Sequence, residues 1–248
     1  MTVLFALPIY ADEQHVVAED SLESFNRTIF DFNLFADKHV IRPVAQAYHE
    51  LPGAVRYGIG NELTNLSEPL NALHGALQLN SKIFFTSFWR FVLNTTYGLG
   101  GLRDFAGENG LHNTEQNLGK TLGRWGIGSG TYIVLPILGP SSLRDTLGKG
   151  GDYFLDPVSY AFTFPENAGI SVMDGIATRD RQTKIIDQFY YKSLDPYTAT
   201  RSAYIQNTQF EVAKHEVFAA DSKSSSYPEA YIATKEAFRQ HLNIENRR

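Results

Sequence analysis

The chain has 248 residues, 43% of them hydrophobic, enough to build a sizeable core without covalent staples. A formal net charge of -5, a pI near 5.8 and no Lys/Arg run longer than two residues argue against a phosphate-neutralising protein, so no nucleic-acid partner is expected. Cysteine is absent, which removes disulfides, thiolate nucleophiles, Cys-ligated metal and an acyl anchor on a lipoprotein cysteine.

Residues 2–11, TVLFALPIYA, form an apolar decamer followed by Asp12 and Glu13 and resemble the hydrophobic core and cleavage end of a secretory signal without its basic lead. The decamer reads as a signal segment lacking its upstream part, against a first strand or helix packed into the core. In DSLESFNRTIFDFN, Asp20 followed by Glu23 has the pattern of a capping box and predicts a helix start. Leu22, Phe25, Ile29, Phe32 and Ala36 then recur at spacings of three and four, while Glu23, Arg27 and Asp31 line another face. Asn26 and Asn33 border the apolar stripe, where buried amides ordinarily hydrogen-bond backbone at a helix crossing.

A second helix begins at Pro43 and is stopped by Pro52 and Gly53; a third runs from about Ala54 to Leu66; Ser67 with Pro69 predicts the start of a fourth. Residues 81–96, SKIFFTSFWRFVLNTT, leave hardly any polar face, so this helix must be surrounded. At ~1.5 Å per residue its fourteen or so helical positions reach about 21 Å, short of the roughly 30 Å of a hydrocarbon layer. Two readings stand, a central core helix or one lying within a leaflet with Phe84, Phe85, Phe88 and Trp89 as membrane contacts.

From Gly98 to Gly151 the texture is glycine-rich and regular long helices are not expected. Trp125 to Pro140, interrupted by Gly126, Gly128, Gly130, Pro136 and Gly139, predicts a hairpin-like or broken segment, with Arg144 and Asp145 pairing or capping a helix just after it. A turn at Asp195 and Pro196 leads into a helix through Tyr204, and the polar tail beyond Asp221 is peripheral. Strand-type alternation is nearly absent.

Catalytic patterns are missing. The seven histidines show no ligand spacing, so no metal site is assigned; Ser129 lacks the GxSxG frame because position 127 is Ile; the glycine clusters fit neither phosphate-loop pattern. No catalytic residue and no cofactor is assigned.

Taken together, DSLESFNRTIFDFN, NLSEP at 65–69, RFVLNTTYGLGGLRDFA at 90–106, TLGRWGIGSGTYIVLPILGPSSLRD at 121–145 and SLDPYTATRSAYIQ at 193–206 resemble the VacJ/MlaA family, in the family's order over about three quarters of the chain. Ser21 and Thr131 stand where the family usually has proline, and the lipobox cysteine is missing. The resemblance implies an all-α, ring-like bundle of short helices with an amphipathic central channel, spanning residues 20–220 between a signal-like segment and linker (1–19) and a polar tail (221–248). It implies a non-enzymatic phospholipid channel at the periplasmic leaflet of a Gram-negative outer membrane. Such a channel withdraws misplaced phospholipid beside porin trimers and hands it to a soluble periplasmic carrier, preserving lipid asymmetry. Without a lipid anchor, membrane attachment rests on apolar surface. On this reading Asn26, Arg27, Phe32 and Asn33 line the lipid path or brace the ring, and Gly126, Gly128, Gly130 and Pro136 form a hinge. Two other classes stay open: a lipid-acting hydrolase or acyltransferase using Ser129 or the Arg144 and Asp145 pair, and a helical scaffold that binds a partner protein.

Overall fold

The computed structural model describes residues 20–221, with side chains described to residue 208. Expectations for the opening decamer and for the tail past Asp221 lie outside the described residues. The architecture is all-α apart from one small hairpin.

Helix α1 (Glu23–Ala36) runs through a π-helical stretch (Asp37–Ile41) into α2 (Arg42–His49) without a break. Pro43, which has no N–H to return to the preceding turn, follows the π stretch at once. The predicted capping box does not form: Leu22 occupies the cap position, with no side-chain cap bond. Asp20 is instead buried as an acceptor, taking hydrogen bonds from Asn26 Nδ2 at 2.9 Å and from the Tyr197 hydroxyl and lying 3.4 Å from Arg201 Nε. Glu23 turns outward to Arg27 at 2.8 Å. A buried carboxylate with several donors outweighs an exposed cap worth about 1 kcal/mol.

Helix α3 (Gly53–Leu77) passes straight through Pro69, so the two helices expected on either side of it are one. Ser67 donates to the Thr64 carbonyl at 2.8 Å instead of capping a new helix. Tertiary packing overrides the proline. Along the second half of α3 a face of Asn65, Glu68, Asn71, His74 and Gly75 is buried, chiefly against α4 (Ser81–Thr96). Gly75 sits where a Cβ would come within 2.5 Å of the Phe84 nitrogen, so the crossing requires glycine. Asn80 caps α4 by accepting from Ile83 N at 3.2 Å.

The faces buried by these helices are polar. On α4 they are Ile83, Ser87, Arg90 and Asn94, and on α1 Asn26, Phe30 and Asn33, all at spacings of three and four. Phe25 (52% exposed), Phe32, Phe35, Phe85, Phe88 and Trp89 (50%) face outward. The aromatic helix is therefore not the central core helix that is one of its two readings; it buries Ser87, Arg90 and Asn94 with Ile83 and exposes Phe85, Phe88 and Trp89.

After α4 come the short α5 (Phe105–Glu108) and α6 (Leu118–Arg124), then strands β1 (Tyr132–Leu135) and β2 (Gly139–Ser142), paired antiparallel with Tyr132 opposite Ser142. The hairpin expected within Trp125 to Pro140 is present, closing two residues later. The glycine-rich region does hold one longer helix, α7 (Leu143–Leu155), capped by Ser142 at 3.1 Å from Asp145 N. Its Gly148 lies against the Gly119 backbone of α6, and glycines here permit close helix packing rather than disrupting helices. A 3-10 turn (Pro157–Tyr160), α8 (Phe164–Arg181), α9 (Thr183–Tyr191) and α10 (Pro196–Asp221) complete the chain.

Contacts between elements close into a circuit. Helix α1 packs on β1, β2 meets α7, α7 lies on α6, α6 touches α3, α3 contacts α8, α8 packs on α2, and α2 returns through the π stretch to α1. Two asparagines fasten the hairpin into it. Asn26 accepts from Val134 N at 2.9 Å and donates to the Tyr132 carbonyl at 3.2 Å; Asn33 accepts from Ile137 N at 2.7 Å and donates to the Leu135 carbonyl at 2.8 Å. Seven helical residues rise ~10.5 Å and three strand residues ~10 Å, so two amides two turns apart meet backbone sites three residues apart. Each amide acts as a neighbouring strand for the free edge of β1. Beneath them Phe30, Tyr132, Val134 and Tyr197 form the apolar core cluster, with Phe30 edge-on to Tyr190 and Tyr197.

Ion pairs close the remaining seams. Arg90 and Glu68, 1% and 0% exposed, pair between α4 and α3, and Arg90 reaches Asp104 at 3.1 Å and the Leu111 carbonyl. In the π stretch Asp37 takes both arms of Arg179, at 2.7 and 3.0 Å, and the Tyr191 hydroxyl at 2.7 Å; Asp187 bridges Arg179 and Arg42 at 2.6 and 2.7 Å.

Three outcomes are predicted. Asn26→Asp removes the donor to Tyr132 and sets a carboxylate beside Asp20, so thermal unfolding should show a loss of about 3 kcal/mol or more, with Asn33→Asp costing less. Arg90→Ala leaves the Glu68 carboxylate buried and unpaired, a loss of roughly 3–5 kcal/mol in denaturant unfolding. Burial alone would raise the Asp187 carboxyl, but hydrogen bonds from Arg179 and Arg42 hold it below its ordinary 3.8. Its contribution is complete above that value and is lost as pH falls through the lower folded one; Asp187→Asn should remove this share of the acid sensitivity in unfolding measured either side of pH 3.8.

Candidate functional site

A cavity of about 500 Å³ opens between α3, α7, the 3-10 turn and α8. Each wall is one face of one helix. Leu63, Leu66 and Leu70 of α3 repeat at helical spacing and form a greasy side, joined by Phe164 and Ile170 of α8. Lys149 and Asp152 lie three residues apart on α7, and Asp156, its C-cap, four further on; Asn167, Ser171 and Asp174 repeat likewise on α8.

The charged groups are held unequally. Asp152 is locked in place: His74 Nε2 lies 2.9 Å from it, the Leu118 N–H donates at 3.0 Å, and the other ring nitrogen of the fully buried His74 meets Thr121 Oγ at 3.0 Å. Asp156 accepts from Val158 N at 3.0 Å. Asp174 has a loose contact of 3.8 Å with Arg181. Lys149 enters no ion pair among the described residues.

Two observations together define what these groups face. The Asp174 side chain is 59% exposed, and Lys149 is exposed as well. Yet burial pushes the Asp174 carboxyl up, with Arg181 opposing and Glu115 adding; burial likewise raises Asp156 against the Val158 bond and lowers the Lys149 ammonium, which Asp145 partly restores. These charged groups, solvent-accessible yet flanked by protein on several sides, line a wettable, partly open cleft.

None of the residues singled out from the sequence lines this cavity. Asn26 meets the hairpin at Tyr132 and Val134, and Asn33 meets it at Leu135 and Ile137, the two neighbours of Pro136. Arg27 lies outside, pairing with Glu23 and with Asp195 at 3.1 Å and stacking over Tyr197 at 4.4 Å; burial is slight and the hydrogen bond from Arg27 depresses the Asp195 carboxyl. Phe32 is half exposed. Phe84, Phe85, Phe88 and Trp89 form one outward cluster with ring centroids 5.1 to 6.3 Å apart. Gly126, Gly128 and Gly130 carry the chain from α6 into β1, Gly126 and Gly130 at positive φ. The hairpin tip presents exposed Ile137 and Leu138, and Ile137 takes φ of 66°, a conformation that β-branched residues avoid, held by its bond to Asn33.

Ser129 gives its carbonyl to Arg144 N at 3.1 Å, and Arg144 pairs with Asp145 at 3.0 Å while donating to the Ile127 carbonyl. These groups fix the base of the hairpin. Among the described residues no three His, Asp or Glu side chains converge as metal ligands. The cavity wall was hidden in the sequence by glycine: LGKGGDYFLDP reads as loop, yet its charges at 149, 152 and 156 already stand at helical spacing.

Comparisons with known proteins agree with this architecture. The family model described as MlaA lipoprotein matches residues 18–211. The intermembrane phospholipid transport system lipoprotein MlaA of Escherichia coli is 39% identical over 196 residues, 77% of each chain. The protein of the same name from Haemophilus influenzae is 34% identical over 203 residues, 78% of this chain and 79% of that one. An uncharacterised protein of Rickettsia conorii is 37% identical over 186 residues, 74% of each. A solved structure described as the structural basis for maintenance of bacterial outer membrane lipid asymmetry superposes with a TM-score of 0.68 at 40% identity, covering 77% of this chain and 98% of that one. By sequence, extent and fold, the chain belongs to the MlaA lipoprotein family.

Proposed function

We propose that the protein is a non-enzymatic phospholipid conduit that removes misplaced phospholipid from the outer leaflet of the outer membrane and passes it to a periplasmic carrier, maintaining lipid asymmetry. The observation that carries this reading is the inverted distribution of polarity. Polar side chains outnumber apolar ones among the described buried residues, many large apolar side chains lie outside, and one cavity combines a leucine wall with a charged wall. A phospholipid leaving a leaflet needs water or polar groups for its head, since a charge in hydrocarbon costs several kcal/mol, and apolar surroundings for its tails.

Among the described residues no helix is long and apolar enough to cross a membrane. Exposed Phe85, Phe88 and Trp89 on α4, with Phe25, Phe32 and Phe35 on α1, suit a body resting in one leaflet, each buried Å² of apolar surface contributing ~25 cal/mol. The periplasmic leaflet places the cavity beside both lipid and the aqueous carrier. Porin trimers are the partners that would admit such a body to the outer membrane. Asn26 and Asn33 brace the ring through β1, and Gly126, Gly128, Gly130 and Pro136 are the positions at which the hairpin pivots.

Deleting the protein from its Gram-negative host is expected to raise outer-leaflet phospholipid and detergent sensitivity, measured by surface labelling and growth in detergent; an unaltered outer leaflet overturns the proposal. Purified protein is expected to leave labelled phospholipid chemically intact. Turnover lost in Ser129→Ala would replace the conduit with a lipid-acting enzyme.

A further inference from the structure

The cavity's charges are unbalanced in a way that bears on which phospholipid it accepts. One cation, Lys149, faces three carboxylates, Asp152, Asp156 and Asp174. Phosphatidylethanolamine and phosphatidylglycerol each bring one phosphodiester, and the Lys149 ammonium, in no ion pair among the described residues, is the cation in the cavity that can meet it. What separates headgroup classes is whatever lies beyond the phosphate.

Asp152 is already committed to His74 and the Leu118 N–H. Asp156 and Asp174 are not. Asp156 gives one oxygen to Val158 N, Asp174 makes only its 3.8 Å contact with Arg181, and both face the space from different helices. Seven residues set Lys149 and Asp156 ~10 Å apart along the helix, which leaves room between them for a phosphate followed by a short bridge and a positive terminus. A headgroup ending in an ammonium neutralises these carboxylates. One ending in a neutral glycerol leaves them uncompensated beside a phosphate, with Glu115 adding to the negative field at Asp174.

Resting on the conduit reading, we infer that the Asp156 and Asp174 wall selects zwitterionic aminophospholipid of the phosphatidylethanolamine class over anionic phosphatidylglycerol, with Lys149 holding the phosphate common to both. The burial that raises both carboxyls is what a cationic terminus would relieve.

The test uses the full chain incubated with vesicles of equimolar phosphatidylethanolamine and phosphatidylglycerol, re-isolated, and its bound lipid quantified by mass spectrometry. About fivefold enrichment of phosphatidylethanolamine is expected, the ratio that one water-screened charge contact of ~1 kcal/mol supplies. In Asp156→Asn with Asp174→Asn, where asparagine preserves the cap on Val158, the bound ratio should fall to that of the vesicles. Asp174→Asn alone, at an exposed position, should lose part of the enrichment. Lys149→Gln should lower both lipids together. Equal binding by the wild type, or enrichment unchanged in the double variant, overturns the selectivity and leaves the conduit standing. Absence of both lipids on a folded wild type overturns both.

Discussion

Polar atoms turned inward must find their partners within the protein, and nearly everything else in this structure depends on that requirement. Arg90 at the α3 and α4 seam is saturated by Glu68, Asp104 and the Leu111 carbonyl, and Arg179 by Asp37, Asp187 and Thr183. A buried charge stripped of one such partner costs more than the pair itself contributes, so these networks act as register pins rather than as reserves of stability. The asparagines apply the same rule to backbone: β1 has one strand neighbour, and Asn26 and Asn33 satisfy its other edge.

Filling the interior with paired polar groups frees the exterior to be apolar. A helix such as α4 buries Ser87, Arg90 and Asn94 and presents phenylalanine and tryptophan outward, which in bulk water would be a liability and against hydrocarbon is favourable. Where α3, α7 and α8 come together they leave a space lined on one side by leucines and on the other by lysine and aspartates. Its amphipathic character is produced by three helix faces, each regular by itself, meeting across a gap.

The helical class, the extent of α4 and the hairpin within the glycine-rich region were legible in the sequence, because apolar density, prolines and glycines act locally. The family could be read as well, from ordered blocks. Local rules failed at Asp20 and at Pro69. Asp20 has the spacing of a cap but is captured by Asn26, Tyr197 and Arg201, and Pro69 has the signature of a helix start but is carried through by packing on α4. In both cases a contact distant in sequence outweighed a local preference of about 1 kcal/mol.

By itself, then, the sequence determined the helical class, the place of α4 and the presence of a hairpin in the glycine-rich region, since these follow from residue types and short spacings. Only the tertiary structure decided which face of each helix points inward. Periodicity marks two faces without ordering them, and the choice here goes to the face whose amides and charges find partners on other elements. The same decision created the cavity, because Leu63, Lys149 and Asp174 lie on three separate helices, and only tertiary packing brings them to one space.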